Sequence, residues 1–261
     1  MATSNGFYWS TEAWGLALRS RALLEVADHF FTSCHLQLRG DREVEDWRRV
    51  AKTIGVPTSR LLRLKQVHGR RAVVARAGDG WPASTADRPR ADIVLSDDPS
   101  CAVVVQVADC VPLLMADRVT GAVAAVHAGW RGTLAAVGPA AVAALRDAFG
   151  TRPGDLVVAQ GPSVGACCYQ VGEELVEAFK AAGFAAALDR WFSRDADGIL
   201  RLDLWIANRD QLVDAGVRPG AIHQANLCTA SHPELFPSYR RDGPGTGRIA
   251  AVVRPRPAPR P

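Results

Sequence analysis

Between residues 61 and 150 the chain is a string of short, β-rich apolar runs broken by turns, and three of these runs meet a reactive side chain at one end. LKQVHG carries His68, VADCVPLL carries Cys110 and VHAGWRG carries His127. The three are far too distant along the chain for one local metal finger, so only a fold that draws several strand ends together can make them meet. Two imidazoles and one thiolate would then form a three-ligand zinc site with an open fourth position, the catalytic rather than the structural pattern. Each residue also has a plainer reading. A histidine at a strand end is commonly structural, and a cysteine after Val107-Ala108-Asp109 is commonly a buried, inert thiol. The small residues after His127, and Gly69 after His68, let backbone come close to a ligand. On these residues alone both readings stand.

The remaining pattern predicts an α/β chain. Strands are expected at 29–32, 61–66, 72–75, 101–107, 113–116, 122–126, 156–160, 222–228 and 249–253. Asp41 is expected to cap a helix that runs to Ile54 and stops at Gly55 and Pro57. Thr133 should cap an Ala-rich helix that ends near Gly150, and helices are expected at 173–182 and 204–215. Residues 77–91 read as a loop. No repeat or linker interrupts this order, which predicts one mixed α+β domain over 1–253, with layered sheets flanked by helices. The Pro/Arg-rich residues 254–261 read as a disordered tail.

Several function classes drop out. Net charge is only +4, and no run of Lys and Arg carries interleaved aromatics, which argues against nucleic acid as a partner. No leader pattern and no apolar run of about 20 residues is present; together with six cysteines too sparse for a disulfide scaffold, this predicts a reduced cytoplasmic protein with no membrane partner. Without an amphipathic zipper, a monomer is expected. His232-Pro233-Glu234 matches half of the zinc deaminase signature, but no cysteine follows it. There is no H-E-x-x-H helix and no P-loop. Multinuclear copper sites need many imidazoles, and six histidines with no His-x-His pair do not supply them. GPSVGACCYQVGEE suits either a backbone anion cradle or a tight strand-to-helix turn.

Taken together and in order, KQVHG, ADCVPLL, VHAGWRGT, GPSVGACCYQVGEE, LDLWIANRDQL and SYRRDGPGTGR resemble the YfiH-type family, from about His29 to Val253. The family was formerly labelled multicopper polyphenol oxidase or laccase-domain protein and is now regarded as purine nucleoside phosphorylase. The resemblance implies a single mixed α/β domain sharing its architecture with cysteine-dependent deamidases of the cytotoxic necrotizing factor type. It implies zinc on His68, Cys110 and His127, with copper able to load in vitro. Implied substrates are adenosine, inosine, guanosine and methylthioadenosine with phosphate, with adenosine deamination as a further activity.

Within that frame Arg48, Arg131 and Arg240 are candidates for phosphate, because a guanidinium matches its oxygens bidentately. Gln66 is a candidate for substrate, and Asp109 for orienting an imidazole or accepting a proton. The rival enzymatic reading makes Cys110 a nucleophile with His127 as its base, in an amide hydrolase that removes a wrongly added serine from a UDP-muramyl cell-wall precursor. A third reading is a non-catalytic binding protein with a decayed site. Its motivation is SCHLQLRGDREVEDW, which lacks the Gly-Gly and Asn-Leu-Gly segments usual in the family.

Overall fold

The computed structural model describes residues 6–82 and 84–256. The chain begins with a hairpin, β1 (Phe7–Glu12) and β2 (Gly15–Ser20), that its mixed aromatic and polar sequence does not announce. A short helix α1 (Arg21–Leu24) leads into β3 (Asp28–Thr32). The first long helix, α2 (Glu43–Ile54), is not capped by Asp41, which lies in a tight turn over Gly40–Arg42; no side chain caps this helix, and Gly55 stops it in the left-handed conformation. Asp46, Trp47, Val50, Ala51 and Ile54 are its buried stripe.

Next come β4 (Leu61–Arg63), β5 (Ala72–Ala75), β6 (Ile93–Ser96), β7 (Ala102–Val107), β8 (Val111–Asp117) and β9 (Val123–Ala128). β4 is shorter than its apolar run. At Gln66 the side-chain amide takes over the pairing, donating to the Gln106 carbonyl at 2.7 Å and accepting the Gln106 N–H at 2.8 Å. The Ala-rich stretch forms two helices, α3 (Trp130–Leu134) and α4 (Val137–Phe149), broken at Ala136 with φ 57°. Thr133 is therefore not a cap. It is buried inside α3, where its hydroxyl accepts the Asn208 side-chain N–H.

The last third holds β10 (Leu156–Gln160), α5 (Glu173–Phe179), α6 (Leu188–Trp191) and a two-stranded ribbon of β11 (Phe192–Arg194) and β12 (Leu200–Leu202). Then follow α7 (Leu204–Asp214), β13 (Ile222–Gln224), α8 (Tyr239–Asp242) and β14 (Ile249–Arg254). The Asp203 carboxylate caps α7 by accepting the Trp205 and Ile206 N–H groups. The final strand reaches Arg254, and Arg256 is ion-paired with Asp28. Residues 257–261, the rest of the expected tail, lie outside the described residues.

Two six-stranded sheets, in the orders β1-β2-β3-β14-β7-β4 and β13-β10-β8-β9-β6-β5, pack face to face. Strand alternation assigns the faces. Phe31, Val103, Val105, Ile249 and Ala251 of the first sheet meet Leu114, Ala116, Val123, Ala125 and Val157 of the second. The outward residues Phe30, Val104 and Val252 pack beneath α2. On the far side, Leu113, Met115, Val126 and Val158 pack beneath α4 and α7. The result is a mixed α/β fold of four layers, helix–sheet–sheet–helix. Because both faces of both sheets are covered, their strands read as continuous apolar runs. Each fully buried Val or Leu contributes about 1.5–3 kcal/mol relative to exposure, so an Asp at Val105 or Leu114 would remove that gain and bury a charge. Among the described residues no helix is long and apolar enough to cross a membrane.

Candidate active site

The register of the β8–β9 hairpin builds one corner of the site. Val111 pairs with Ala128 and Pro112 with His127, so Cys110 and Gly129 face each other where the hairpin opens. His127 shares the parity of Val123 and Ala125 and points between the sheets. His68, in the turn after β4, completes the group. The ligand atoms of His68, Cys110 and His127 all lie within 4.8 Å of one another, and the two imidazole centroids are 4.7 Å apart at 74°.

Gly129 explains how the group fits. A Cβ there would sit 2.6 Å from the Cys110 sulfur and 3.4 Å from the His68 ring. The space a side chain would fill is the space the thiol occupies.

Asp92, just before β6, was not recognised from the sequence. Its carboxylate accepts Nδ1–H of His127 at 2.8 Å and the backbone N–H groups of Val67, His68 and Gly69 at 2.7–3.3 Å. This leaves Nε2 of His127 as the ring atom that could ligate a metal, the arrangement typical of a metal-binding imidazole. The same bonds hold His68 at φ 61°, a left-handed conformation that costs a non-glycine residue about 1–3 kcal/mol. Burial pushes the Asp92 carboxyl up, but the His127 and backbone N–H bonds outweigh it and hold the acid below the usual range. Nothing in RADIVLSD marks this residue. It is one acid ahead of one apolar run.

Burial likewise pushes the Cys110 thiol up, but the charge and hydrogen bond of His127, with a further bond from His68, reverse this and bring it down to about 6. Burial lowers His127, but Cys110 and Asp92 overcome it and raise the imidazole to about 9. Each partner thus favours the charged form of the other, thiolate beside imidazolium. A soft or borderline cation would take the place of the proton, and one thiolate with two imidazoles is a donor set suited to zinc.

The three residues line a cavity of about 630 Å³, together with Gln66, Gln106, Asp109, Trp130, Arg131, Tyr169, Tyr239, Arg240 and Arg248. Arg131 lies over Trp130 at 4.2 Å and Arg240 over Tyr169 at 5.1 Å, so both guanidinium groups are oriented at the wall. Burial, with the Cys110 and Asp109 charges nearby, pushes the Tyr169 hydroxyl up to about 12 and keeps it a donor. Asp109 does not orient an imidazole; that is done by Asp92. At φ 87° its carboxylate accepts the Thr229 hydroxyl and the Arg240 backbone N–H, both at 2.5 Å, and so fixes the start of α8. Gln66 reaches the wall with its amide already paired to the Gln106 backbone.

Arg48 is not part of the cavity. Its side chain is 66% exposed on the outer surface of α2 and pairs with Glu45, because the neighbouring Trp47 takes the inward position. Trp130, Tyr169, Tyr239 and Arg248 were not singled out from the sequence, although all four lie in motifs that were.

Comparison with known proteins fixes the relationship. Residues 29–256 match the sequence model of the family described as multi-copper polyphenol oxidoreductase laccase. The chain belongs to this family. A relative from Bacteroides thetaiotaomicron is 39% identical over 162 residues, 62% of this chain and 60% of that protein. Relatives from Streptomyces coelicolor (38% identical, 78% of each chain) and Deinococcus radiodurans (35% identical, 80% of this chain and 76% of that one) match over more of their length. All three are named purine nucleoside phosphorylase. Among solved structures, the hypothetical protein YfiH of Bacillus licheniformis superposes with a TM-score of 0.84 at 26% identity, covering 95% of this chain and 99% of that one. YlmD of Geobacillus stearothermophilus gives 0.81 at 29% identity, over the same shares. The family's layered α/β fold is thus the fold of this chain. The multi-copper label has no counterpart in the site: among the described residues, the two groups of three metal-binding side chains hold two imidazoles between them.

Proposed function

We propose that the chain is a zinc-dependent purine nucleoside phosphorylase that cleaves adenosine, inosine, guanosine and methylthioadenosine and also deaminates adenosine. The observation that carries this reading is the meeting of His68, Cys110 and His127 with Arg131, Arg240 and Arg248 in one cavity of ligand size. The relatives named purine nucleoside phosphorylase support it.

In phosphorolysis a phosphate oxygen forms a bond to the ribose anomeric carbon as the bond to the purine nitrogen breaks. Phosphate needs fixed positive charge, and the arginines at the wall supply it in a partly dry site where it counts for more than in water. The purine needs flat apolar surface, offered by Trp130, Tyr169 and Tyr239. Asp109 sets the distance between the Arg240 backbone and the site, and the Tyr169 hydroxyl, held protonated, can donate to a substrate oxygen. His68, Cys110 and His127 would hold the zinc, with Asp92 fixing the His127 ring. When bound, zinc supplies a Lewis acid with an open position, which serves substrate orientation and, in deamination, the activation of water.

The test is to incubate the protein with each of the four nucleosides, with and without phosphate, and separate the products by chromatography. Phosphate-dependent release of free base, plus inosine from adenosine, is expected. Absence of free base from all four contradicts the reading.

A second reading is favoured by one observation, the chain Cys110–His127–Asp92, which has the form of an activated thiol. In this reading the protein hydrolyses an amide in a UDP-muramyl precursor. Full amide hydrolysis by protein holding only trace zinc, with no base released from nucleosides, would establish it in place of the first.

A further inference from the structure

A second set of soft side chains lies behind the cavity wall. Cys167 and Cys168 come from the loop after β10, and Cys228 comes from the segment after β13. Their sulfur atoms all lie within 4.8 Å of one another. The Ser231 hydroxyl is 3.2 Å from the Cys168 sulfur and 3.6 Å from that of Cys167. Access is graded: Cys228 is buried, Cys168 half-buried and Cys167 exposed.

We infer that Cys167, Cys168 and Cys228, with Ser231 beside them, form a second metal site that takes a thiophilic d10 cation, Zn(II) or Cu(I). Sulfurs bound to a common zinc lie about 2.3 Å from it, so they stand under 4 Å apart, and only a small closing of the present arrangement is needed. Three sulfurs with a hydroxyl match zinc's four-coordinate preference, and three sulfurs alone suit Cu(I). The surroundings are built to hold the thiols in place. The Gly165 N–H donates to the Cys228 sulfur at 3.3 Å. A Cβ at Gly165 would come to 3.3 Å from the Cys167 sulfur and 2.9 Å from Trp205, so this position leaves room for the cluster. The two segments are already in register, with Ser163 N–H donating to the Leu227 carbonyl and Thr229 N–H to the Ser163 carbonyl. Three thiolates this close repel one another, and a shared cation removes the repulsion as each thiol gives up its proton to solvent.

The ion would clamp the two segments that shape the cavity from behind. Tyr169, which follows Cys168, lines it, and Thr229, which follows Cys228, holds Asp109. The role is structural, and it is independent of which reaction the front site performs.

The test uses the full chain with its first site disabled by His68→Ala and Cys110→Ser. This background is loaded with Zn(II), or anaerobically with Cu(I), desalted, and weighed by native mass spectrometry. One retained ion is expected, and the arm that retains it identifies the metal. Adding Cys167→Ser, a change at an exposed side chain that spares the core, should remove the ion or weaken it at least tenfold. Co(II) in the same background should show the strong thiolate charge-transfer band of several sulfur ligands, reduced by Cys167→Ser. Retention of neither ion overturns the inference. So does equal retention with and without Cys167, or a reduced preparation in which a disulfide joins two of the three thiols.

Discussion

Replacing Gly129 by alanine isolates the geometry on which the front site depends. Gly129 has φ −76° and ψ 176°, a conformation open to any residue, so the substitution strains no backbone. By reducing the freedom of the unfolded chain, alanine would add about 0.4–1 kcal/mol of stability if its methyl group met open space. Instead that methyl meets the Cys110 sulfur at 2.6 Å, about 1 Å inside ordinary contact, and the His68 ring at 3.4 Å. Overpacking of this kind costs about 1–3 kcal/mol. The clash therefore outweighs the chain-entropy gain, and the net expectation is a loss of about 1–2 kcal/mol, or a thiol pushed from its place. A ligand displaced by even part of an ångström should weaken metal binding by about 10–100-fold, as loss of a supporting contact does. Urea denaturation reads the first effect and competition with a chromophoric chelator reads the second. Gly129→Ala protein that is more stable than the parent and holds zinc equally well would refute the argument.

Other outcomes follow from the same structure. Asp92→Asn leaves one oxygen where two accept four N–H groups, and should cost about 1–3 kcal/mol in urea and at least tenfold in zinc affinity by chelator competition. Arg131→Met or Arg240→Met should raise the KM for phosphate by about 10–100-fold, the worth of a charge-assisted bond, with little change in nucleoside KM at saturating phosphate. Arg48→Ala should change stability by no more than about 0.5 kcal/mol and leave turnover intact, since its only partner among the described residues is an exposed glutamate. His29 is buried and neutral, with Nε2 accepting the Ser20 N–H, and burial lowers its pKa from 6.5 to about 4. The unfolded chain thus binds a proton the folded chain refuses, and stability present above pH 6.5 is lost as pH falls towards 4. At about 1.4 kcal/mol per unit the loss is about 3 kcal/mol, and urea midpoints of His29→Gln compared with the parent should show a shallower decline across that window.

What was legible in the sequence divides along physical lines. Helix ends marked by glycine were plain, as at Gly55 and Gly150, and so were the long apolar strands of the double-sided sheets. The β1–β2 hairpin was not, because its residues alternate without a clean apolar face, and Ile93–Ser96 was passed over as a short run after a loop. Thr133 has the side chain of a cap but is spent on Asn208, a contact made across 75 positions that no local pattern encodes. In the site, His68, Cys110 and His127 stood out because each sits where a strand meets a turn. The residues that make the site work were silent for the opposite reason. Asp92 acts only through partners brought in by the fold, and Asp109 turned out to support a helix instead of an imidazole. Arg48 was misread because charge type alone does not say which way a helix faces.

In the proposed function, one cation held by His68, Cys110 and His127 is required for phosphorolysis. The most direct test of this requirement is to strip the protein with a chelator, add zinc back in substoichiometric steps, and measure adenine released from adenosine and phosphate at each step. Stripped protein should show a rate near zero that rises with occupancy of this site, and Cys110→Ser protein should show no rise at all. Stripped protein that releases adenine at the full rate would contradict it.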